Sequence, residues 1–155
     1  MAGVGPPSVP AIEYEISTDP ARLDLALIHR FLSEDAYWSL GVSREVVERS
    51  IKHSLNFGLY SGAEQVGFAR VVTDYATFAW LADVFVLEPH RGRGLGRRLV
   101  GSVMAHPDLQ GLRRWMLATA DAHGLYEDLG FHPSAGDARF MLLEAADSRA
   151  AASGR

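Results

Sequence analysis

Val84-Phe85-Val86-Leu87-Glu88-Pro89-His90-Arg91-Gly92-Arg93-Gly94-Leu95-Gly96-Arg97 reads as a strand, a glycine-rich turn and the first turn of a helix. Such a junction aims backbone N–H groups and the positive end of a helix dipole at one point, which suits phosphate. Glycines let a backbone approach an anion with no Cβ in the way, and Arg91, Arg93 and Arg97 add charge-assisted donors at either end. The dinucleotide fingerprint G-x-G-x-x-G fails from either start, because the last position is Arg97 counted from Gly92 and Leu99 counted from Gly94. A P-loop needs a Gly-Lys pair, and the chain has none.

The elements around this loop follow from periodicity. Ile12, Tyr14 and Ile16 alternate with Glu13 and Glu15, a half-buried strand. Leu23, Ala26, Leu27 and Phe31 recur at helical spacing and predict a helix from Ala21 to about Asp35, entered through Asp19-Pro20. A second helix follows Ser43, with Val47, Ile51 and Leu55 on one face. The period then changes to that of strands: Phe57–Ser61 and Val66–Asp74 flank a hairpin signal at Ser61-Gly62-Ala63-Glu64, and Thr77–Leu87 is a longer strand interrupted only by Asp83. The helix opened by the glycine loop runs to about His106 and stops at Pro107. Trp115–Ala118 is a short strand, Asp121 caps a short helix that ends at Leu129 before Gly130, and Phe140–Leu143 closes the sheet. The fold class is α/β, with one domain over residues 11–144 between flexible tails at 1–10 and 145–155.

Composition narrows the function. At 155 residues with 48% hydrophobic and 22% charged residues, the chain can build one core unaided. No cysteine is present, which excludes a disulfide framework, a Cys-ligated zinc and a thiol nucleophile. No apolar run approaches the ~20 residues of a membrane span, and Met1–Pro10 lacks the pattern of a signal peptide, so a cytoplasmic location with no membrane partner is expected. A net charge of −4 argues against a nucleic-acid surface, and the arginines gathered between Arg91 and Arg98 argue for a local anion site.

Two motifs together carry a family resemblance. Arg91-Gly-Arg-Gly94-Leu-Gly96 has the form R-x-x-G-x-G after a strand and resembles the acyl-CoA-binding loop of the GNAT N-acetyltransferase superfamily. Thirty residues beyond Gly96, Leu125-Tyr126-x-x-Leu129-Gly130-Phe131 is similar to the L-Y-x-x-x-G-F signature of the same superfamily. The resemblance spans roughly residues 12–143 and implies the GNAT acyl-CoA N-acyltransferase fold, a mixed, mostly antiparallel sheet flanked by helices in which strands four and five splay apart after Val84–Val86.

It further implies acetyl-CoA as co-substrate and no metal. The pantetheine arm would pair with the backbone of Val84, Phe85 and Val86, and the pyrophosphate would lie on residues 91–97, including Gly92, Gly94 and Gly96. Tyr126 would protonate the leaving thiolate. Thr119 stands seven residues before the tyrosine, where many relatives carry a cofactor-contacting Asn. An amine of ordinary basicity is about one part in a thousand neutral at pH 7, so transfer needs a base or a water path to one. Asp83, the lone charge in its strand, either takes that proton or anchors a cationic amine; polyamine acetyltransferases have a Glu-Asp pair where this chain has Ala82-Asp83. Asp74 and the aromatic pair Tyr37-Trp38 are the expected acceptor contacts, the rings serving for stacking or cation–π contact. The expected activity is transfer of acetyl to a primary amine of a small molecule or peptide by direct attack in a ternary complex. The alternative is a non-catalytic acyl-CoA-binding sensor on the same fold. A homodimer is compatible with an exposed final strand.

Overall fold

The computed structural model describes Gly3 and residues 13–134 and 139–145. The expected tails, apart from Gly3 and Ala145, lie outside the described residues, as does Ile12. The chain forms two compact units, Met1–Asp121 and Ala122–Arg155. The first contains β1 (Tyr14–Ser17), α1 (Leu25–Arg30), α2 (Arg44–Lys52), β2 (Leu55–Ser61), β3 (Glu64–Thr73), β4 (Phe78–Val86), α3 (Leu95–Ala105) and β5 (Arg114–Leu117). The second contains α4 (His123–Asp128).

The helix expected over 21–35 is split once, where two caps compete, and changes its winding further on. Asp19 accepts a hydrogen bond from Ala21 N–H and starts a short 3₁₀ turn. Asp24 then accepts one from Leu27 N–H and starts α1 afresh. Beyond Arg30 the turns widen to π geometry through Asp35, closed by Ala36 N–H on Phe31 C=O at 3.0 Å. That wider turn buries Ala36 and leaves Tyr37 and Trp38 facing outward. The second helix begins as expected, with the Ser43 hydroxyl accepting from Val46 N–H, and buries Val47 and Ile51.

Among the described residues five strands lie in the order β1-β2-β3-β4-β5, antiparallel up to β4 and parallel between β4 and β5. A parallel neighbour requires a crossover, and α3 supplies it. One sheet face carries α1 and α2 over a core of Ile28, Phe31, Leu32, Ala36, Val47, Ile51, Phe68 and Phe85, where the rings of Phe31 and Phe85 stack with centroids 3.9 Å apart. The helix α3 packs across β2, β3 and β4, and buries Leu95, Leu99, Val100 and Val103. Gly67 lets β4 come close: a Cβ there would stand 2.9 Å from the Phe85 carbonyl oxygen.

Three expectations are corrected. The short fourth helix is capped by Ala122 rather than Asp121, with no side-chain hydrogen bond, since it starts one residue later than expected, at His123. Phe140–Leu143 is not a strand, and Met141, Leu142 and Leu143 are 95%, 79% and 87% exposed. An apolar run marks a segment that gains from burial, but a strand also needs a partner edge for its amides and carbonyls, which four residues do not specify. The sheet-edge argument for a homodimer goes with that strand.

The third correction concerns the splay. β4 and β5 pair only from Phe78↔Arg114 to Leu81↔Leu117, so they part after Leu81 and not after Val84–Val86.

Asp74, expected toward an acceptor, is turned back into its own loop. Its carboxylate accepts hydrogen bonds from the N–H groups of Ala76, Thr77 and Phe78 and from the Thr77 hydroxyl. These donors hold its pKa well below the usual carboxylate range. A depressed native pKa adds stability that is fully present above the unfolded value of ~3.9 and fades as pH falls below it. Asp74→Ala is therefore expected to lower Tm at pH 7, and the gap to the parent to shrink between pH 4 and pH 2 in thermal melts. A gap that stays constant with pH would show that the charge is not what the turn uses.

Candidate active site where two strands part

Beyond Leu81, β4 continues with β3 but without β5. Among the described residues, Ala82–Val86 have a ladder partner only on the β3 side. This stretch opens with a bulge. Register passes from Arg70↔Ala82 to Phe68↔Phe85, so Asp83 and Val84 together oppose Ala69. Asp83 takes up the extra residue with φ +55, a left-handed conformation that Asp tolerates better than most side chains. The Phe85 ring is buried in the core and its backbone runs along the open edge.

The bulge is held by charge. Asp83 Oδ2 accepts from Arg70 Nε at 2.8 Å, and Oδ1 accepts from the Trp38 indole N–H at 3.0 Å. Arg70 also donates through Nη1 to the Ser54 hydroxyl at 3.1 Å, and that hydroxyl donates to Ser50 C=O. Both charged side chains are largely buried, 17% and 11% exposed. A carboxylate neutralised in this way is a poor anchor for a second cation, so the cation-anchoring role for Asp83 loses its basis. To take a proton it must share an oxygen that already accepts a hydrogen bond. Arg70 was missed in the sequence, yet a signal existed: Arg70 and Asp83 are opposite charges inside adjacent, largely apolar strands, the pattern of a buried ion pair.

At the end of β4 the chain enters the glycine loop. Gly92 and Gly94 have φ of +78 and +74, and a Cβ on either would project into open space, so conformation is what demands glycine there. Gly94 caps α3, and the first helical hydrogen bond runs from Arg98 N–H to Gly94 C=O. Amides ahead of it, beginning with Leu95 and Gly96, precede the helix's own acceptors and face the loop. Arg91 pins the loop to the strand by donating from Nε to Val86 C=O at 2.8 Å. Two further ties reach β1: Arg98 donates to Tyr14 C=O, and the Tyr14 hydroxyl bonds His90 Nδ1 at 2.9 Å. Arg93 and Arg97 are exposed on the loop and the first turn of α3. Thr119, half-buried two residues past β5, has its hydroxyl facing the Asp121 amide. The expected aromatic pair also reaches this region: the Tyr37 hydroxyl accepts from Ala120 N–H at 2.9 Å.

In the second unit, the spacing around Tyr126 has a structural meaning. Phe131 N–H donates to Tyr126 C=O and Gly130 N–H to Glu127 C=O, with Gly130 at φ +98. This is a Schellman closure of α4, and its usual apolar contact is the ring of Phe131 set edge-on to that of Tyr126 at 5.9 Å. The buried Tyr126 ring is thus located by the glycine and phenylalanine that follow it.

The family model described as the acetyltransferase (GNAT) family matches residues 25–131. The chain belongs to the GNAT family of acetyltransferases. That match spans the junction of the two units. A candidate acetyltransferase of Gibberella zeae is 35% identical over 136 residues, covering 74% of this chain and 76% of its own length. The crystal structure of a candidate GNAT acetyltransferase from Xanthomonas campestris pv. campestris is 53% identical, covers 86% of this chain and 94% of its own, and superposes with a TM-score of 0.83. The ribosomal-protein-S18-alanine N-acetyltransferase of Escherichia coli, 24% identical over 77% of this chain and 78% of its own with a TM-score of 0.62, shares the fold. The GNAT chain is accordingly an N-acetyltransferase, of a family that acts on small-molecule or peptide acceptors. Among the described residues no helix is long and apolar enough to cross a membrane, and no cluster of His, Asp and Glu is arranged to hold a metal ion.

Proposed function

We propose that this GNAT enzyme transfers acetyl from acetyl-CoA to a primary amine by direct attack in a ternary complex. The observation that carries the reading is a single strand, β4, that leaves its parallel neighbour and leads through a 3₁₀ turn at Glu88–His90 into a glycine loop and the start of α3. The donor set fits the co-substrate: a free strand edge for an amide-bearing arm, then left-handed glycines, helix-start amides and arginines for phosphates. Acetyl-CoA supplies the activated thioester. Val84, Phe85 and Val86 would hold its arm through their backbone, with a backbone N–H near Val86 polarising the thioester carbonyl. Residues 91–97 would bind the phosphates, with Arg91 serving as a brace of the loop through Val86, and Thr119 would offer its hydroxyl to the cofactor.

Asp83 has one oxygen on Arg70 and one on the Trp38 indole. Of the two, Oδ1 can take the amine proton by letting the indole N–H go, while Oδ2 stays on the guanidinium; water is the other route. Tyr126 would return a proton to the leaving thiolate. The chain has no cysteine to form an acyl-enzyme, in keeping with direct attack.

Calorimetry with acetyl-CoA, CoA and NAD tests the reading. Micromolar binding of both CoA species and none of NAD is expected. Gly94→Val should weaken acetyl-CoA binding at least tenfold, since a β-branched residue is strained at the φ that the loop requires. An amine panel read by released thiol follows, free of background from the protein. No binding of acetyl-CoA at millimolar concentration by folded protein would overturn the proposal.

A further inference from the structure

The adjacent residues Tyr37 and Trp38 take hold of opposite sides of the gap between β4 and β5. On the β4 side, the Trp38 indole N–H donates to Asp83 Oδ1 at 3.0 Å, two residues beyond the last paired position, Leu81. On the β5 side, the Ala120 N–H donates to the Tyr37 hydroxyl at 2.9 Å, three residues beyond Leu117. The two rings brace each other edge to face, with centroids 5.1 Å apart and planes at 88°. Behind them the connection is tied down: Ser39 donates to Leu32 C=O, Gly41 N–H to Ser33 C=O, and His29 Nε2 bonds Val42 C=O.

We propose that Tyr37-Trp38 is a clasp that sets the width of the gap between the parting strands, and thereby selects which amines reach Asp83. Both fastenings are exposed hydrogen bonds, which open far more readily than buried ones, while the base of the loop stays fixed. Rings 39% and 44% exposed offer apolar faces to whatever passes between them. Because the fastenings share one rigid pair of rings, releasing either side loosens the other. Its consequence for amines rests on the acetyl-transfer reading; the coupling between the two sides does not.

Two ring-preserving variants test it, Tyr37→Phe and Trp38→Phe, each removing one polar atom. Hydrogen exchange at the Ala120 amide, followed by NMR, is expected to speed up about tenfold in Tyr37→Phe and by a similar factor in Trp38→Phe, although Trp38 makes no bond to Ala120. Exchange unchanged in Trp38→Phe would mean two independent hydrogen bonds and would overturn the clasp. With ethylamine and tyramine as probes, the tyramine-to-ethylamine ratio of kcat/KM should rise at least fivefold in either variant. A uniform fall in both rates would indicate mere loss of structure and overturn the selective role. If the parent acetylates neither amine, the reading as an amine acetyltransferase suffers, while the exchange rates still decide whether the clasp exists.

Discussion

Replacing Tyr126 by phenylalanine is expected to lower kcat for acetyl transfer tenfold or more at saturating acetyl-CoA in folded protein. An ordinary phenol keeps its proton at neutral pH, and a thiol of pKa ~8.5 leaves more readily when a donor supplies one. General-acid help of this kind is worth roughly 10²–10⁴-fold, so a tenfold loss is a lower bound that allows for protonation by water. The Schellman closure is made by backbone groups and the edge-on contact with Phe131 by the ring, and phenylalanine keeps both. Steady-state kinetics at saturating acetyl-CoA, with melts on the same samples, gives the answer. An unchanged kcat would remove Tyr126 from the mechanism and leave protonation to solvent.

Arg70→Ala should be strongly destabilising. It strands the Asp83 carboxylate, 11% exposed, without its cation. Breaking one side of a buried pair costs about 3–5 kcal/mol. Because this pair retains some exposure and the indole bond remains, about 2–4 kcal/mol is expected on the same scale. For a chain of this size that corresponds to a Tm lower by roughly 5–15 °C. The double variant Arg70→Ala/Asp83→Ala should recover part of the loss, since it removes the uncompensated charge as well. Urea denaturation of the parent, both single variants and the double closes the cycle. A loss below about 1 kcal/mol for Arg70→Ala would place the pair in the class of surface bridges, and the bulge in β4 would then need another support.

Much of this enzyme is written locally. The Ser43 cap, the Ser61–Glu64 hairpin, the strand that runs into the glycine loop and the Tyr126-to-Phe131 closure are each decided within a few residues. Their causes are short-range: a side-chain oxygen reaching its own helix, a φ that only glycine adopts freely, an apolar period of two or 3.6. Local signals also misled where two of them competed. Asp19 and Asp24 both cap, so one apolar stripe was split before its last turn widened. Phe140–Leu143 had the composition of a strand and no partner edge.

What the tertiary structure alone decided is the pairing of distant polar groups. Asp83 was visible in the sequence as a charge out of place, but a lone carboxylate reads equally as base, anchor or structural group. Its partners are Arg70 on the neighbouring strand and Trp38 from the helical connection, across 13 and 45 residues of chain. The same holds for Tyr37 on Ala120, 83 residues away, and for Tyr14 on His90, 76 away. A residue's type sets which bonds it can make, and its neighbours in sequence set its backbone. Which donor arrives at which acceptor depends on register, on a bulge and on where two strands part, and those are settled only when the whole sheet has packed.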